Sequence, residues 1–323
     1  MSATDKSDTM TPANYQTAAD AFDSWRTEVV TGTAPTFYRV GDGELTWIEI
    51  GPNLVTLIGG APGAGKTAFT MQCAVDALRL NASLRVLVCN IEMTPPVLLD
   101  RQLARLSGID VSTIRYRKLD QTHADRLDQA LNTLESIADR LCFLRPPLNF
   151  DNVALSADDF GAQLLVLDYI QRIPPPGEFG DRRGSIDATM NYLRQFADAA
   201  VAVMVVAAVA RQKDKRGRSS YAGDALSLAS FRESSELEFG ADDAFILSPD
   251  KDQTDRVTLR HLKARHTEPR DIELRFDRKC QSFTPTADAG RARQPIGVLA
   301  PELAALWDQT EPADDLETGK DDK

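Results

Sequence analysis

Short apolar runs alternate with amphipathic stretches through the central part of the chain. Runs rich in Val, Ile and Leu predict strands at residues 53–58, 85–91, 140–144, 163–168 and 201–207. Apolar residues at helical spacing predict helices between several of these strands, at residues 66–80, 95–107, 122–139 and 185–199. This alternation is typical of an α/β fold in which helices flank a mostly parallel central sheet.

The pattern changes in the last third of the chain. Beyond residue 240, turn residues separate three more predicted strands, at 243–248, 256–262 and 271–276. No helical stretch is predicted between them, so consecutive strands are expected to pair as neighbours. We therefore expect an antiparallel C-terminal extension of the parallel sheet.

The two ends of the chain differ in composition from the middle. Residues 1–45 are mostly polar, with one amphipathic helix predicted at 14–29, and residues 284–323 are rich in Ala, Pro and Asp. Such compositions bury little apolar surface. We expect one ordered domain over residues 46–283, preceded by a partly disordered N-terminal arm and followed by a largely disordered acidic tail.

Charge is concentrated in the same two ends. Residues 1–50 hold eight acidic and three basic side chains, and residues 302–323 hold eight acidic and two basic ones. These segments account for the whole formal net charge of −11, so the middle of the chain is balanced. The overall acidity therefore does not exclude an anionic partner such as a nucleic acid.

Composition also bears on the cellular compartment. The strongest apolar run, residues 199–210, is shorter than the roughly 20 residues that a membrane-spanning helix needs. The polar start of the chain lacks the apolar core of a signal peptide. The four cysteines show no C-x-x-C spacing, which disfavours a zinc site or a disulfide framework. We expect a cytoplasmic protein with no membrane partner.

A complete phosphate-binding motif lies between the first predicted strand and the first predicted helix of the domain. It reads Gly60-Ala61-Pro62-Gly63-Ala64-Gly65-Lys66-Thr67. Backbone N–H groups of such a loop bind phosphate oxygens, the lysine reaches the β- and γ-phosphates, and the threonine hydroxyl ligates Mg²⁺. The strand before the loop and the helix after it supply the required setting. The sequence therefore predicts a site for a nucleoside triphosphate, expected to be ATP, with Mg²⁺.

Two carboxylates are candidates for completing this site. Asp168 ends the apolar strand Leu164-Leu165-Val166-Leu167, a Walker B pattern that predicts a metal-orienting carboxylate beside Thr67. Glu92 follows the strand at 85–91, which a right-handed crossover can place next to the strand of the phosphate loop. Because ligands gather at the carboxyl ends of parallel strands, we expect Glu92 to activate the attacking water.

Four further segments follow in a fixed order downstream of the phosphate loop. They are VLVCNIEM at 86–93 with LLDRQLA at 98–104, LDYIQ at 167–171, SFRESS at 230–235 with GADD at 240–243, and KARH at 263–266. Together they resemble the motifs of the ATPase domain of the DnaB-type replicative helicases, over about residues 50–283. RecA-like and KaiC-like ATPases stay open as related alternatives.

The resemblance implies a RecA-like P-loop NTPase fold for residues 46–283 and a role for each matching residue. Lys66 and Thr67 would bind phosphate and Mg²⁺, Glu92 would polarise water, and Asp168 would support the metal. Arg265, together with Lys263, matches the arginine finger that this family delivers to the nucleotide of a neighbouring subunit. The resemblance therefore also implies a homo-oligomer, a hexameric ring.

Two basic loops are candidates for binding single-stranded DNA. The first spans residues 172–185 and the second residues 211–220, and both are rich in Gly or Ser. Mobile cationic side chains suit sequence-independent contacts with phosphates. The resemblance adds Arg232 and Glu233, which match positions where the family contacts the DNA backbone. The predicted DNA-binding residues are Arg182, Arg183, Lys213, Lys215, Arg216, Arg218, Arg232 and Glu233.

The sequence departs from the family pattern at three places. Ala207-Ala208 stand where the family has Ser-Gln, whose glutamine senses the γ-phosphate and links it to the DNA loop. Ser235 replaces a glycine, and about 45 residues precede the ATPase core, too few for the family's N-terminal domain. The expected function is an ATP-dependent DNA helicase or translocase. A regulatory ATPase of a mobile element or defence system, acting on a protein partner, is the main alternative, and a non-hydrolysing loader is a third.

Overall fold

The computed structural model of the chain describes residues 16–175, 182–209, 212–213, 219–220 and 240–286. The chain divides into two compact units, one of residues 36–293 and one of residues 1–35 with 294–323. Helix α1, Ala18–Thr31, belongs to the smaller unit and extends two residues beyond the helix predicted there. The Thr17 hydroxyl and the Asp20 carboxylate cap its start reciprocally, and Gly32 in the left-handed conformation ends it.

The larger unit contains the sheet and its flanking helices. Its helices are α2 (Lys66–Leu80), α3 (Pro95–Ser107), α4 (Val111–Arg115), α5 (Ala124–Glu135), α6 (Phe150–Phe160) and α7 (Arg182–Asp198). The strands of its main sheet are β1 (Val55–Gly60), β2 (Val86–Asn90), β3 (Leu141–Phe143), β4 (Leu164–Asp168), β5 (Ala202–Val206), β8 (Asp243–Pro249), β9 (Arg256–Ala264), β10 (Ile272–Asp277) and β11 (Ser282–Pro285). Strands β6 (Gln212–Lys213) and β7 (Ser219–Ser220) form a separate antiparallel hairpin.

Within the described residues, the main sheet has the strand order β11-β10-β9-β8-β1-β5-β4-β2-β3. Strands β8, β1, β5, β4, β2 and β3 pair in parallel, whereas β9, β10 and β11 add antiparallel neighbours beyond β8. The prediction of a mostly parallel sheet with an antiparallel C-terminal extension is therefore confirmed.

The predicted place of the second strand is wrong. The sequence suggested that β2 pairs with β1, but β5 and β4 lie between them. The right-handed crossover rule fixes the hand of a connection and not the number of strand positions that it passes. The later strands β4 and β5, which are buried along their whole length, fill the two central positions.

Two apolar layers cover the two faces of the sheet. Helix α2 packs into one layer and helices α6 and α7 into the other. The sequence pattern did not predict α6, whose buried face consists of Phe150, Val153 and Ala157. Among the helices of the described part of the chain, none combines the length and apolar character that crossing a membrane requires.

A buried ion pair joins the helix of the phosphate loop to the helix that follows β2. Asp76 of α2 accepts two hydrogen bonds from Arg105 of α3, each 3.0 Å long. The side chains of Arg105 and Asp76 are only 7% and 11% exposed. Arg79 also contacts Asp76, at 2.9 Å, but its side chain is 43% exposed. The carboxylate thus has one buried and one solvated partner.

This difference predicts unequal effects of removing the two arginines. Arg105→Ala deprives a buried carboxylate of its bidentate partner, so the free energy of unfolding should fall by about 3 kcal/mol. Arg79→Ala removes a solvated partner and should lower it by less than about 1 kcal/mol. Urea unfolding of both variants, followed by circular dichroism, measures the difference. Equal losses would contradict the assigned role of burial.

Candidate nucleotide-binding site

The phosphate loop leaves the end of β1 and enters α2 directly. Gly65 precedes α2 with a φ of 92°, a left-handed conformation that favours glycine. A Cβ atom at Gly65 would lie 2.7 Å from Phe283 and 2.9 Å from Phe276. Both the backbone and the packing therefore require glycine here.

Lys66 and Thr67 begin α2 and face the carboxylate of Asp168. The Lys66 ammonium donates to the carbonyls of Gly60 at 2.8 Å and Ala61 at 3.1 Å. Burial lowers the pKa of Lys66, and the charges of Asp168 and Glu92 oppose that shift. The Thr67 side chain hydrogen-bonds to Asp168. The two residues predicted to hold the metal therefore contact each other.

Asn90 ties the two predicted carboxylates together. It ends β2 directly opposite Asp168 in the parallel pairing with β4, and its amide donates to Asp168 Oδ2 at 2.7 Å. Its Oδ1 accepts from the backbone N–H groups of Glu92 at 3.0 Å and Met93 at 2.7 Å. Glu92 is thus held near Asp168 from the next strand, rather than from a strand beside β1.

The pKa of Asp168 is raised above its ordinary value of 3.8. Burial is the main cause, and the negative charge of Glu92 acts in the same direction. Hydrogen bonds from Thr67 and Asn90 and the charge of Lys66 oppose the rise. A nearby cation stabilises the ionised form of such a carboxylate and so opposes the effect of burial. Because Mg²⁺ prefers oxygen ligands, Asp168 and the Thr67 hydroxyl fit a magnesium site.

A cavity of about 430 Å³ opens over the phosphate loop. It brings five of the eight predicted loop residues together with Glu92 and Asp168 at the carboxyl ends of the parallel strands, whereas Gly60, Ala61 and Ala64 do not line it. Several other lining residues were not predicted to contact the ligand, among them Arg101 of α3 and Ala208, which follows β5. Burial lowers the pKa of Arg101, and the charge of Asp168 opposes that shift. The lining residues are Pro62, Gly63, Gly65, Lys66, Thr67, Ala68, Glu92, Met93, Arg101, Asp168, Tyr169, Ala208, Phe276, Arg278 and Gln281.

The turn between β10 and β11 forms the remaining wall. Arg278 donates to the Gly63 carbonyl at 3.0 Å, and its guanidinium lies 4.9 Å from the centre of the Phe276 ring. On α2, the Gln72 side chain makes two hydrogen bonds with the backbone of Phe283, at 2.8 and 2.9 Å. These contacts between residues more than 200 positions apart left no local sequence signal, so the sequence analysis missed this wall.

The structure separates Arg265 and Lys263 from the phosphate loop of the same chain. Arg265 follows β9 and bonds to Asp242, which precedes β8 and accepts from the N–H of Val55 at the start of β1. The phosphate loop begins at the other end of β1, roughly 16 Å away along the strand. Lys263 donates to the Ala241 carbonyl at the same remote edge. Neither side chain lines the cavity over the loop.

Three of the eight predicted DNA-binding residues lie in described helices or strands. Arg182 and Arg183 begin helix α7 and Lys213 lies in β6, but their side chains are outside the described set. The other five predicted positions lie outside the described residues altogether. Those positions are Lys215, Arg216, Arg218, Arg232 and Glu233, of which Lys215 to Arg218 fall between β6 and β7.

The domain that contains this cavity is similar to known proteins. Residues 50–285 match the family described as DnaB-like helicase C terminal domain. The replicative DNA helicase DnaB of Buchnera aphidicola subsp. Baizongia pistaciae is 23% identical over 201 residues, which is 59% of this chain and 41% of that protein. The chain therefore spans about two fifths of the length of this curated relative.

Two solved structures are similar in fold. One is an ATPase domain, which superposes with a TM-score of 0.74 at 19% identity, covering 85% of this chain and all of that one. The other is a DnaB-like replicative helicase, solved in a study of its interactions with primase. It gives a TM-score of 0.71 at 18% identity, covering 84% of this chain and 67% of the other. These likenesses confirm the predicted RecA-like fold. Because the family match covers most of the chain, the protein belongs to the DnaB-like helicase C-terminal domain family.

Proposed function

We propose that this chain is an ATP-dependent DNA helicase or translocase that hydrolyses ATP at the subunit interfaces of a hexamer. One observation carries the proposal. The cavity with Lys66, Glu92 and Asp168 lies at one edge of the sheet, and Arg265 lies at the opposite edge. A side chain at that distance cannot reach its own nucleotide, so a phosphate-contacting role for Arg265 requires a second subunit.

Each group of the proposed site, including Arg265 from the neighbouring subunit, has a separate task. Lys66 binds the terminal phosphates, and Thr67 and Asp168 hold Mg²⁺, which neutralises charge on the phosphates when bound. Glu92 orients the attacking water and accepts its proton. Asn90 positions Glu92 and Asp168 relative to each other through its three hydrogen bonds. Arg265 of a neighbouring subunit stabilises the charge of the transferring phosphoryl group.

The residues that precede the two basic loops support a link between the nucleotide and DNA. The Gln171 side chain donates to the Ala208 carbonyl at 3.1 Å and accepts from the Ala208 N–H at 3.2 Å. The first loop begins immediately after Gln171, and the second begins shortly after Ala208. Ala208 also lines the nucleotide cavity. Both loops therefore start close to the nucleotide cavity, and we propose that they bind single-stranded DNA. The relative named a replicative DNA helicase supports this choice of partner.

DNA dependence of ATP hydrolysis tests this proposal. Single-stranded DNA should raise the ATPase rate, and replacing Lys213, Lys215, Arg216 and Arg218 by Ser should remove most of the rise. The salt dependence of DNA binding should also flatten, by up to about 0.7 in log–log slope for each phosphate that the variant no longer binds. A control with Arg39→Ser and Arg275→Ser removes exposed arginines outside the loops. An ATPase rate indifferent to DNA, with no forked duplex separated, would exclude a helicase.

The alternative of a regulatory ATPase acting on a protein partner has one observation in its favour. Ala208 presents no amide to the cavity at the position where the family carries its phosphate-sensing glutamine. ATP-dependent oligomers without DNA dependence would then be expected in the same assay.

Restoring the glutamine tests what Ala208 changes. The side chain at position 208 is exposed, and Gln171 holds its backbone, so Ala208→Gln can enter the cavity wall without disturbing the core. We expect the ratio of DNA-stimulated to unstimulated ATPase to rise several-fold, because an amide then bridges phosphate and loop. Ala208→Met supplies similar bulk without the amide and should give no rise. An equal response of the two variants would indicate a steric effect only.

The raised pKa of Asp168 predicts a pH-dependent affinity for Mg²⁺. Only the ionised carboxylate binds the metal, and a raised pKa means that protons compete at a higher pH than at an ordinary aspartate. The Mg²⁺ concentration for half-maximal nucleotide binding should therefore increase as the pH falls from about 7.5 to about 5.5.

Two variants isolate this dependence from protonation of ATP itself. Asn90→Ala removes a hydrogen bond that lowers the Asp168 pKa, so the loss of affinity should begin at a higher pH. Asp168→Asn should bind Mg²⁺ weakly and retain only the pH dependence of ATP. Fluorescent-nucleotide titrations at fixed ionic strength provide the measurement, and identical profiles for the wild type and Asn90→Ala would contradict the assignment.

A further inference from the structure

Asp242 is a buried carboxylate at the edge of the sheet remote from the phosphate loop. Its side chain is 2% exposed. Oδ2 accepts from Arg194 Nη1 of α7 at 2.7 Å and from the N–H of Val55 in β1 at 2.8 Å. Oδ1 lies 2.7 Å from Arg265 Nη1. One carboxylate therefore joins a helix, the strand of the phosphate loop and the predicted finger.

The two carboxylate oxygens serve different partners. Oδ2 contacts groups of the scaffold, since Val55 is buried in the core and Arg194 extends from a helix that packs on the sheet. Oδ1 contacts Arg265, whose side chain is 42% exposed. A buried carboxylate requires charged partners, and Arg194 already provides one. The bond to Arg265 thus directs a side chain at the surface from a fixed point in the interior.

Backbone contacts make this anchor rigid. The Arg265 N–H donates to the Asp242 carbonyl at 3.0 Å, and the Asp242 N–H donates to the Val55 carbonyl at 2.8 Å. Main chain and side chain of Asp242 therefore both bond to Arg265, and both also bond to Val55 of β1. A guanidinium is planar, so a short bond at one Nη restricts the direction in which the whole group points.

We propose that Asp242 is a positioning residue that aims Arg265 at the nucleotide of the neighbouring subunit. The inference rests on the proposed role of Arg265 as a finger acting between subunits. Arg194 completes the anchor, and through it the orientation of the finger depends on helix α7, which begins at the first basic loop. Without the carboxylate, the long arginine side chain loses its fixed direction, and a misplacement of about 1 Å costs on the order of 100-fold in rate.

The test uses mixtures of variants of the whole chain, because a finger defect and a pocket defect differ in mixed oligomers. Lys66→Ala removes phosphate binding and keeps the finger, whereas Arg265→Ala removes the finger and keeps the pocket. In a random equimolar mixture, about a quarter of the interfaces combine an intact pocket with an intact finger in a closed ring. ATPase activity of this mixture should exceed the mean of the separate variants several-fold.

Asp242→Asn should behave as a finger defect. Alone, it should lower kcat by roughly 10- to 100-fold while nucleotide affinity stays within about 2-fold of the wild type. Mixed with Lys66→Ala, it should recover activity, because the intact finger of one subunit then serves the intact pocket of the other. Mixed with Arg265→Ala, it should not recover, since both partners lack a correctly aimed finger.

Each other outcome overturns the inference. Recovery with Arg265→Ala but not with Lys66→Ala would mean that Asp242 supports its own nucleotide pocket. Recovery with neither partner, in a variant that melts like the wild type and binds nucleotide, would mean a general defect of assembly. If the control mixture of Lys66→Ala with Arg265→Ala shows no recovery, Arg265 does not act on a neighbouring subunit. That result would overturn both this inference and the proposed interface.

Arg194→Gln provides a second variant in case Asp242→Asn does not fold. It keeps the Asp242 carboxylate and its bond to Arg265 but removes the cation on Oδ2. The expected loss in kcat is smaller, several-fold, with the same pattern of recovery in mixtures. A pattern of recovery opposite to that of Arg265→Ala would overturn the inference as well.

Discussion

Parallel pairing of β8, β1, β5, β4 and β2 aligns the carboxyl ends of five strands along one edge of the sheet. Gly60, Asp168 and Asn90 are the last residues of three of these strands, and Ala208 lies two residues beyond the end of β5. Backbone hydrogen bonds therefore assemble the phosphate loop, the metal-orienting carboxylate and their shared amide before any side chain of the site is considered. A shift of register in any of these strands would move its side chain away from the cavity.

This assembly brings the carboxylates of Asp168 and Glu92 close together, and the surrounding groups determine how readily Asp168 is protonated. Asp168 is buried close to Glu92, which favours a protonated carboxyl. Thr67, Asn90 and Lys66 oppose protonation without neutralising both acids. The site is thus electrostatically arranged for a cation and a phosphate that arrive together. At the opposite edge, Asp242 is compensated by two arginines, so the buried carboxylates of Asp168 and Asp242 have contrasting environments.

The extent to which the sequence predicts this site depends on how local each signal is. The phosphate loop and the Walker B strand are continuous segments, and both lie where the sequence indicated. The order of the strands depends on which apolar runs occupy the centre, so β2 was assigned to the wrong neighbour. Asn90 and Arg101 were visible within recognised segments, but their roles follow from contacts across the sheet. Asp242 also lies in a recognised segment, GADD at 240–243, but its role does not follow from that segment, because its partners come from β1, α7 and the residue after β9.

The packing of β11 on the phosphate-loop helix has a consequence for synthesis of the protein. Phe283 lies against Gly65 and pairs with Gln72 through two hydrogen bonds, although it follows the loop by more than 200 residues. The loop and α2 leave the ribosome long before this strand does. A nascent chain therefore completes the wall of its nucleotide cavity only after β11 has been translated, so the full cavity is available to ATP only late in synthesis.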